Sequence, residues 1–475
     1  MAARNMLITQ SNLHSFDIGT GGAIYTRTLL PALLTAKEEI VLVTCFWRKD
    51  SHTREAISTA LAELSRRRQI VESCHNGSTG IGKKKLQVKI GLSSVSLFQR
   101  LFHTSSRQGF TYPPEHWAPK LGLPDPEVLA KGEIDMTVKS LFFNPLSVLH
   151  PKYVVIDRKV VFFPSCNVSW ESWLEGCLVL SGVEAVKSVM RFHDERARES
   201  YVNSSPVLMR ITNSSLPNLE HSFMDTSSPK KSASNEHSDN PFESTLSVST
   251  IILPSPHHLN PRFHPFPWQK SPSPPPTPLN LAILELLAGA ERSIFLQSPN
   301  FTCAAVLDAV LDALNRGVDV RIIAGGRNMM VLEQVITAGT TTRRCLRRLV
   351  RKYEKLGREH NIVDVEAGIP VLGQLSIGVF VPKLPSCKAA AGADTQLNIE
   401  QGERKKVVEE NPTYAHLKLT IIDDTFVVLG SGNMDRASFF TSQELGILLN
   451  GAKAVDGVRR VVEKVLEGRI EEWVF

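Results

Sequence analysis

Residues 149–157 read LHPKYVVID, and residues 415–423 read AHLKLTIID. Both stretches hold the pattern H-x-K-x-x-x-x-D: His150, Lys152 and Asp157 in the first, His416, Lys418 and Asp423 in the second. A serine follows each histidine by fifteen residues (Ser165, Ser431) and an asparagine by seventeen (Asn167, Asn433). One such arrangement is a chance match. Two with the same offsets in one chain imply a single active site built from two halves.

The residues between each Lys and Asp, Tyr153 to Ile156 and Leu419 to Ile422, have the apolar, β-branched character of strands. Strand side chains two apart share a face, so His150 projects with Lys152 and His416 with Lys418. An imidazole beside an ammonium suits a phosphoryl group. The lysine neutralises non-bridging oxygens, and the histidine can attack phosphorus. Asp157 and Asp423 are expected to hydrogen-bond an imidazole and fix its tautomer. Ser165, Asn167, Ser431 and Asn433 are expected to donate to phosphate oxygens. The set calls for no metal and no cofactor.

The same motifs resemble the hallmark of the phospholipase D superfamily. The match is closer in the second copy, where Gly430-Ser431-Gly432-Asn433 resembles the family's G-S-x-N and Glu444 stands where a supporting acid is common. The first copy has Pro164 in place of that glycine, with Glu175 as its downstream acid. The stretch Ser293 to Pro299, followed by Arg316-Gly317-Val318-Asp319-Val320, resembles the cardiolipin-synthase-like branch. The resemblance implies two similar α/β/α sandwich halves related by a pseudo-two-fold axis. It also implies two-step phosphodiester transfer through a covalent phosphohistidine, with His150 favoured as nucleophile.

Hydrophobic periodicity outlines the halves. Helices are expected at 24–37 (kinked at Pro31), 53–68, 279–290 and 304–316, and strands at 39–46, 86–92, 292–298 and 318–323. That alternation predicts α/β units around a mostly parallel sheet. The expected organisation is a first half at 1–202, a disordered Ser/Asn/Pro-rich linker at 203–243 and a second half at 244–475, with a strand at 244–253. A Pro-rich loop at 255–278 holds His257, His258 and His264, read as solvated rather than metal-binding. A polar insert at 384–411 reads as a surface loop. At 341–358, TTRRCLRRLVRKYEKLGR places Arg344, Arg347, Arg348, Arg351, Lys355 and Arg358 along one helical face. Such a face is either simply solvated or suited to a phosphate-rich partner.

At 475 residues the chain can hold two full cores, and its net charge of +6 fits an anionic substrate or membrane surface. Seven dispersed cysteines, with no C-x-x-C pair, point to a reducing compartment rather than a disulfide framework or zinc knuckle. Cys166, beside the motif, reads as a small residue in a tight turn. No stretch is long and apolar enough for a signal peptide or a membrane span, so an intracellular protein, cytoplasmic or peripheral to a membrane, is expected. The leading functional reading is a phosphodiesterase or phosphatidyltransferase acting on glycerophospholipids, with an anionic phospholipid as partner. A nuclease of the same superfamily shares the catalytic set, and a non-catalytic anionic-lipid-binding scaffold is the third reading. The motifs do not specify headgroup, acceptor alcohol or oligomeric state.

Overall fold

The computed structural model describes residues 8–74, 84–93, 109–143, 147–195, 245–256, 273–326, 340–362, 371–383 and 411–473. The linker expected at 203–243, the three loop histidines and most of the insert expected at 384–411 lie outside the described residues.

The first half contributes β1 (Ile8–Thr20), β2 (Glu39–Thr44), β3 (Leu86–Ser93), β4 (Ile134–Phe143), β5 (Tyr153–Ile156), β6 (Val160–Pro164) and β7 (Trp173–Ser181). The second contributes β8 (Leu246–Pro256), β9 (Ser293–Ser298), β10 (Asp319–Ala324), β11 (Leu375–Phe380), β12 (Leu419–Ile422), β13 (Phe426–Gly430) and β14 (Gln443–Asn450). Pairing runs β4–β3–β2–β5–β6–β7–β1 through the first half. It crosses from β1 to β8 and continues β8–β14–β13–β12–β9–β10–β11. The second run repeats the first in reverse, each strand replaced by its counterpart.

The sheet is mixed, which corrects the mostly parallel expectation. Among the long strands described, parallel pairing is found in β2–β3–β4 and β9–β10–β11, where helical crossovers join the strands. Strands β5, β6 and β7 follow one another by short connections, which can only place neighbours antiparallel. The unexpected β1 makes the junction. Its Leu13 stands opposite Leu246 on one side and Leu180 on the other.

Helices cover both faces. On one face, α2 (Val183–Glu195) and α6 (Ala452–Leu466) bury Val186, Val189, Val455 and Val458 in a core that draws strand residues from both halves, among them Phe16, Tyr153, Leu419 and Ile447. On the other face, α1 (His52–Cys74) packs over the first half, and α3 (Pro278–Gly289), α4 (Ala304–Asn315) and α5 (Thr342–Ile362) pack over the second. The helix expected at 24–37 ends at Leu33 and includes a π turn over Tyr25–Leu29. Pro31 has no N–H to give the preceding turn, and the wider turn absorbs that gap. Gly317, with φ +92°, ends α4 as its position predicts.

Candidate active site

His150 and Lys152 lie in the extended segment entering β5, and His416 and Lys418 in the segment entering β12, one step before the strands that were expected to carry them. Each segment is docked by its backbone onto the opposite half. His150 N donates to Gln443 O at 3.1 Å, at the start of β14, while His416 N donates to Leu174 O on β7 at 2.9 Å. Tyr414 and Ala415 add a short parallel pairing with Trp173 and Leu174. Gly176 leaves room for this approach, since a Cβ there would stand 2.8 Å from Leu417 Cδ1 and 3.0 Å from Phe16.

Main-chain docking decides which acid each histidine meets. His150 Nδ1 donates to Glu444 at 2.8 Å, and His416 Nδ1 donates to Glu175 at 2.7 Å. Each imidazole is therefore oriented by the other half's carboxylate. A carboxylate can only accept, so both rings carry their proton on Nδ1 and present Nε2 as a lone pair. Lys152 Nζ folds back to His150 O at 2.9 Å; Lys418 Nζ donates to His416 O at 2.6 Å and lies 2.8 Å from His416 Nε2. Both lysines act electrostatically on both histidines, so the two motifs share one charged cleft.

The serines do something other than expected. Ser165 donates its one hydroxyl proton to Glu175 and accepts from Gly176 N, and Ser431 donates to Glu444 and accepts from Leu445 N. They hold the carboxylates in place, and that proton is not free for a phosphate oxygen. Asn167 Oδ1 accepts from Phe46 N at 3.1 Å, which turns its amide nitrogen away from that contact. Asn433 Nδ2 donates to Asp435 Oδ2 at 3.0 Å. Pro164, in the glycine position of the first copy, closes β6 opposite Cys177 and still delivers Ser165 N to Gly176 O at 2.8 Å. Its counterpart Gly430 has φ +148°, and a Cβ there would meet Leu445 O at 2.5 Å. Cys166 is buried, and burial pushes its thiol well up, which fits a packing role.

Asp157 and Asp423 are not beside the imidazoles. Each lies at the far end of its strand from the histidine. Asp157 accepts from the backbone N–H groups of Lys37, Glu38 and Glu39, and Asp423 from those of Glu291, Arg292 and Ser293. Both adopt the left-handed conformation, with φ +51° and +52°. They fasten the strand ends to the starts of β2 and β9. We expect Asp423→Ala to lower unfolding free energy by about 2–3 kcal/mol, since charge-assisted bonds to backbone donors are lost. Turnover per folded molecule should stay within about threefold, because no reacting group is touched. Denaturant melts and active-site-normalised rates check both parts.

Sequence reading missed Asp435, Ser438 and Asn300. Asp435 is buried, caps the short helix Arg436–Phe440 through Ser438 N at 2.8 Å, and receives Asn433 and Asn300. Ser438 donates to Glu444 at 2.6 Å. The available signal was the N-cap pattern Asp435-x-x-Ser438 ahead of Phe439-Phe440.

Burial sets the charge state. It pulls His416 down to about 3, with Lys418 adding to the fall and Glu175 opposing it. Burial also lowers His150, against the opposing pull of Glu444. Burial brings Lys418 down to about 7, Lys152 adding repulsion and Glu175 opposing. Burial would raise Glu444, but His150 and Lys152 outweigh it and hold the carboxylate at about 2. Glu175 is lowered in the same sense: burial opposes, and His416 and Lys418 prevail. Burial raises Asp435. The cleft thus holds two neutral imidazoles, two carboxylates and a lysine near its titration midpoint at neutral pH. An anion entering the cleft would restore that lysine's charge. No group of three or more potential metal ligands occurs among the described residues. No described helix is long and apolar enough to cross a membrane.

The family described as "Cardiolipin synthase, PLD-like domain" matches residues 283–466, which contain the second H-x-K copy. No curated protein matches the sequence. Among solved structures, the phosphatidylserine synthase of Haemophilus influenzae Rd KW20 superposes with a TM-score of 0.55 at 14% identity, covering 99% of this chain and 90% of that one. A polyphosphate kinase from Porphyromonas gingivalis gives a TM-score of 0.45 at 10% identity, over 96% of this chain and 48% of the other. The phospholipase D family member Nuc from Salmonella typhimurium gives 0.25 at 15% identity, over 43% of this chain and 95% of Nuc. The family match over residues 283–466 bears out the resemblance to the phospholipase D superfamily for the part of the chain that holds the second motif copy.

Proposed function

We propose that this protein is a phospholipase D-type enzyme that hydrolyses or transfers the phosphodiester of an anionic glycerophospholipid through a phosphohistidine. One observation carries the reading. Two neutral imidazoles share a cleft with two lysines, each ring held at Nδ1 by a buried carboxylate from the other half. The phospholipid substrate class is supported by the cardiolipin synthase description of the matching family and by the fold shared with a protein named phosphatidylserine synthase.

His150 is the nucleophile in this scheme. Among the described residues nothing hydrogen-bonds its Nε2, whereas His416 Nε2 has the Lys418 ammonium 2.8 Å away. His150 Nε2 attacks phosphorus and the bond from phosphorus to the leaving oxygen breaks. The phosphate's negative charge raises the His416 pKa as substrate enters, so its Nε2 takes up a proton, and that proton passes to the leaving oxygen while Glu175 stabilises the imidazolium. Water or an alcohol then gives its proton to His416 and its oxygen to phosphorus, and the P–N bond breaks. Lys152 and Lys418 leave their resting contacts to hold the non-bridging oxygens, and Asn167 supplies an amide donor. Glu175 and Glu444 act through the rings they orient and are positioning residues.

Incubation of purified protein with phosphatidylglycerol vesicles and, separately, with single-stranded DNA tests the substrate class. Release or transfer of a phosphatidyl group supports the reading; cleavage of DNA alone rejects it in favour of a nuclease.

The state of Lys418 gives a pH signature. Its ammonium is present below about 7 and is lost above it. Affinity for a dialkyl phosphate, whose single charge is constant over this range, should fall as pH rises through neutrality, by at most about tenfold per unit. Lys418→Met should bind weakly and without that slope. A flat wild-type profile by calorimetry would remove Lys418 from the anion site.

A further inference from the structure

Helix α5 lies outside the catalytic machinery and is charged in an unusual way. Arg343, Arg344, Arg347, Arg348 and Arg351 are all exposed within its first turns, and Lys355 and Arg358 continue the row. Lys352 pairs with Asp308 at 2.7 Å and Lys355 with Glu359 at 3.6 Å. Among the described residues, no carboxylate forms an ion pair with any of the five N-terminal arginines. Arg343, Arg347 and Arg351 stand four apart, as do Arg344 and Arg348, and like charges at that spacing oppose helix formation. Positive charge in the first turns also opposes the helix dipole. The helix is held from beneath instead, by Leu346 and Leu349 in the second-half core and by Tyr353 Oη donating to Gly373 O at 3.0 Å.

The start of this helix is fixed to the catalytic cleft. Thr342 Oγ1 accepts from Phe301 N at 3.0 Å. Residue 301 bridges to Met434, and the preceding Asn300 donates to Asp435, the acid that receives Asn433. The arginine row therefore begins beside the segment that carries Asn433 and Asp435 and continues along one helical face.

We propose that this face docks the enzyme on an anionic phospholipid bilayer, with the row of arginines lying against the headgroups so that the cleft opens toward the same surface. The proposal rests on the phospholipid reading of the active site. Charge complementarity carries it: five guanidiniums on one face, without an ion-pair partner among the described residues, meet a plane of phosphates, and each basic residue near such a surface adds about fivefold in partitioning. A single-stranded nucleic acid would want aromatic platforms between the cations. The aromatic residue of this helix, Tyr353, is partly buried and its hydroxyl is engaged by Gly373.

Vesicle flotation with phosphatidylglycerol and with phosphatidylcholine tests it, together with turnover on a short-chain phosphatidylglycerol dispersed below its micelle concentration. The wild type should bind the anionic vesicles and lose them as NaCl rises from about 0.05 to 0.5 M, where the Debye length falls severalfold. The combined variant R343Q/R344Q/R347Q/R348Q/R351Q should partition at least a hundredfold more weakly and keep its rate on the dispersed substrate, which also reports that it is folded. Unchanged vesicle binding by this variant overturns the proposal. So does wild-type binding that persists at high salt, or binding of duplex or single-stranded DNA in place of vesicles. Turnover of dispersed lipid without vesicle binding overturns the docking surface while the lipid reading stands; absence of lipid turnover with salt-sensitive, arginine-dependent vesicle binding would do the opposite.

Discussion

A His150→Asn protein should form no covalent phosphoenzyme and should lose turnover by about 10⁴-fold or more, the usual scale for removing a nucleophile. His416→Asn should lose overall turnover comparably yet still accept label from a substrate with an aryl leaving group, which departs without a proton. The adduct should then accumulate, because nothing deprotonates the incoming water. Acid-quenched label, with the site located by peptide mapping, distinguishes the two. Label retained by His150→Asn and absent from His416→Asn would reverse the assignment. The two Nε2 atoms differ in what they meet: among the described residues nothing hydrogen-bonds that of His150, and an ammonium lies beside that of His416.

The second large effect is a phenotype that crosses the halves. Glu444→Gln should behave as His150→Asn does, with label formation slowed about 10³-fold. Glu175→Gln should behave as His416→Asn does, forming label and holding it. Sequence proximity predicts the opposite grouping, since Glu175 follows His150 and Glu444 follows His416. The magnitude follows from losing the carboxylate that fixes the tautomer and stabilises the imidazolium, where amide substitution costs orders of magnitude. Gln preserves side-chain volume, but Ser431 and Ser438 both donate to Glu444, and an amide cannot accept all three of its present bonds. We therefore expect a lower Tm as well. Rapid-quench measurement of label formation and decay separates the kinetic effect from that loss. Grouping of Glu444→Gln with His416→Asn would contradict the crossed arrangement.

Much of this site could be read along the chain because its chemistry is local. His, Lys, Ser and Asn recur at fixed offsets, since a turn and one adjoining strand separate them. The acids share no such offset and were reached through the family resemblance; Glu175 and Glu444 each lie on the next strand. Their crossed pairing was not visible. It is set by Gln443 O receiving His150 N and Leu174 O receiving His416 N, contacts between segments hundreds of residues apart. Asp157 and Asp423 were misplaced because nearness in sequence was taken for nearness in space. A four-residue strand carries each away from its histidine, toward backbone donors of the preceding helix–strand junction. The α/β alternation was legible, but strand direction in the β5–β7 ladder depended on connection length. Strand β1 escaped notice because ITQSNLHSFDIGT intersperses its buried Leu13 and Phe16 with polar residues, as a strand joining two halves at a partly solvated junction can afford to do.

That strand has a consequence for how the protein is made. Ile8 finds its partner only when Ile251 exists, so the leading segment emerges from the ribosome long before the ladder it completes. In the interval its free backbone edge is a template for unintended pairing. Folding must also wait on a closure of very high sequence separation, which is slow. The nascent first half is thus the aggregation-prone species, and translation rate or chaperone supply should govern yield more strongly than the stability of the finished molecule.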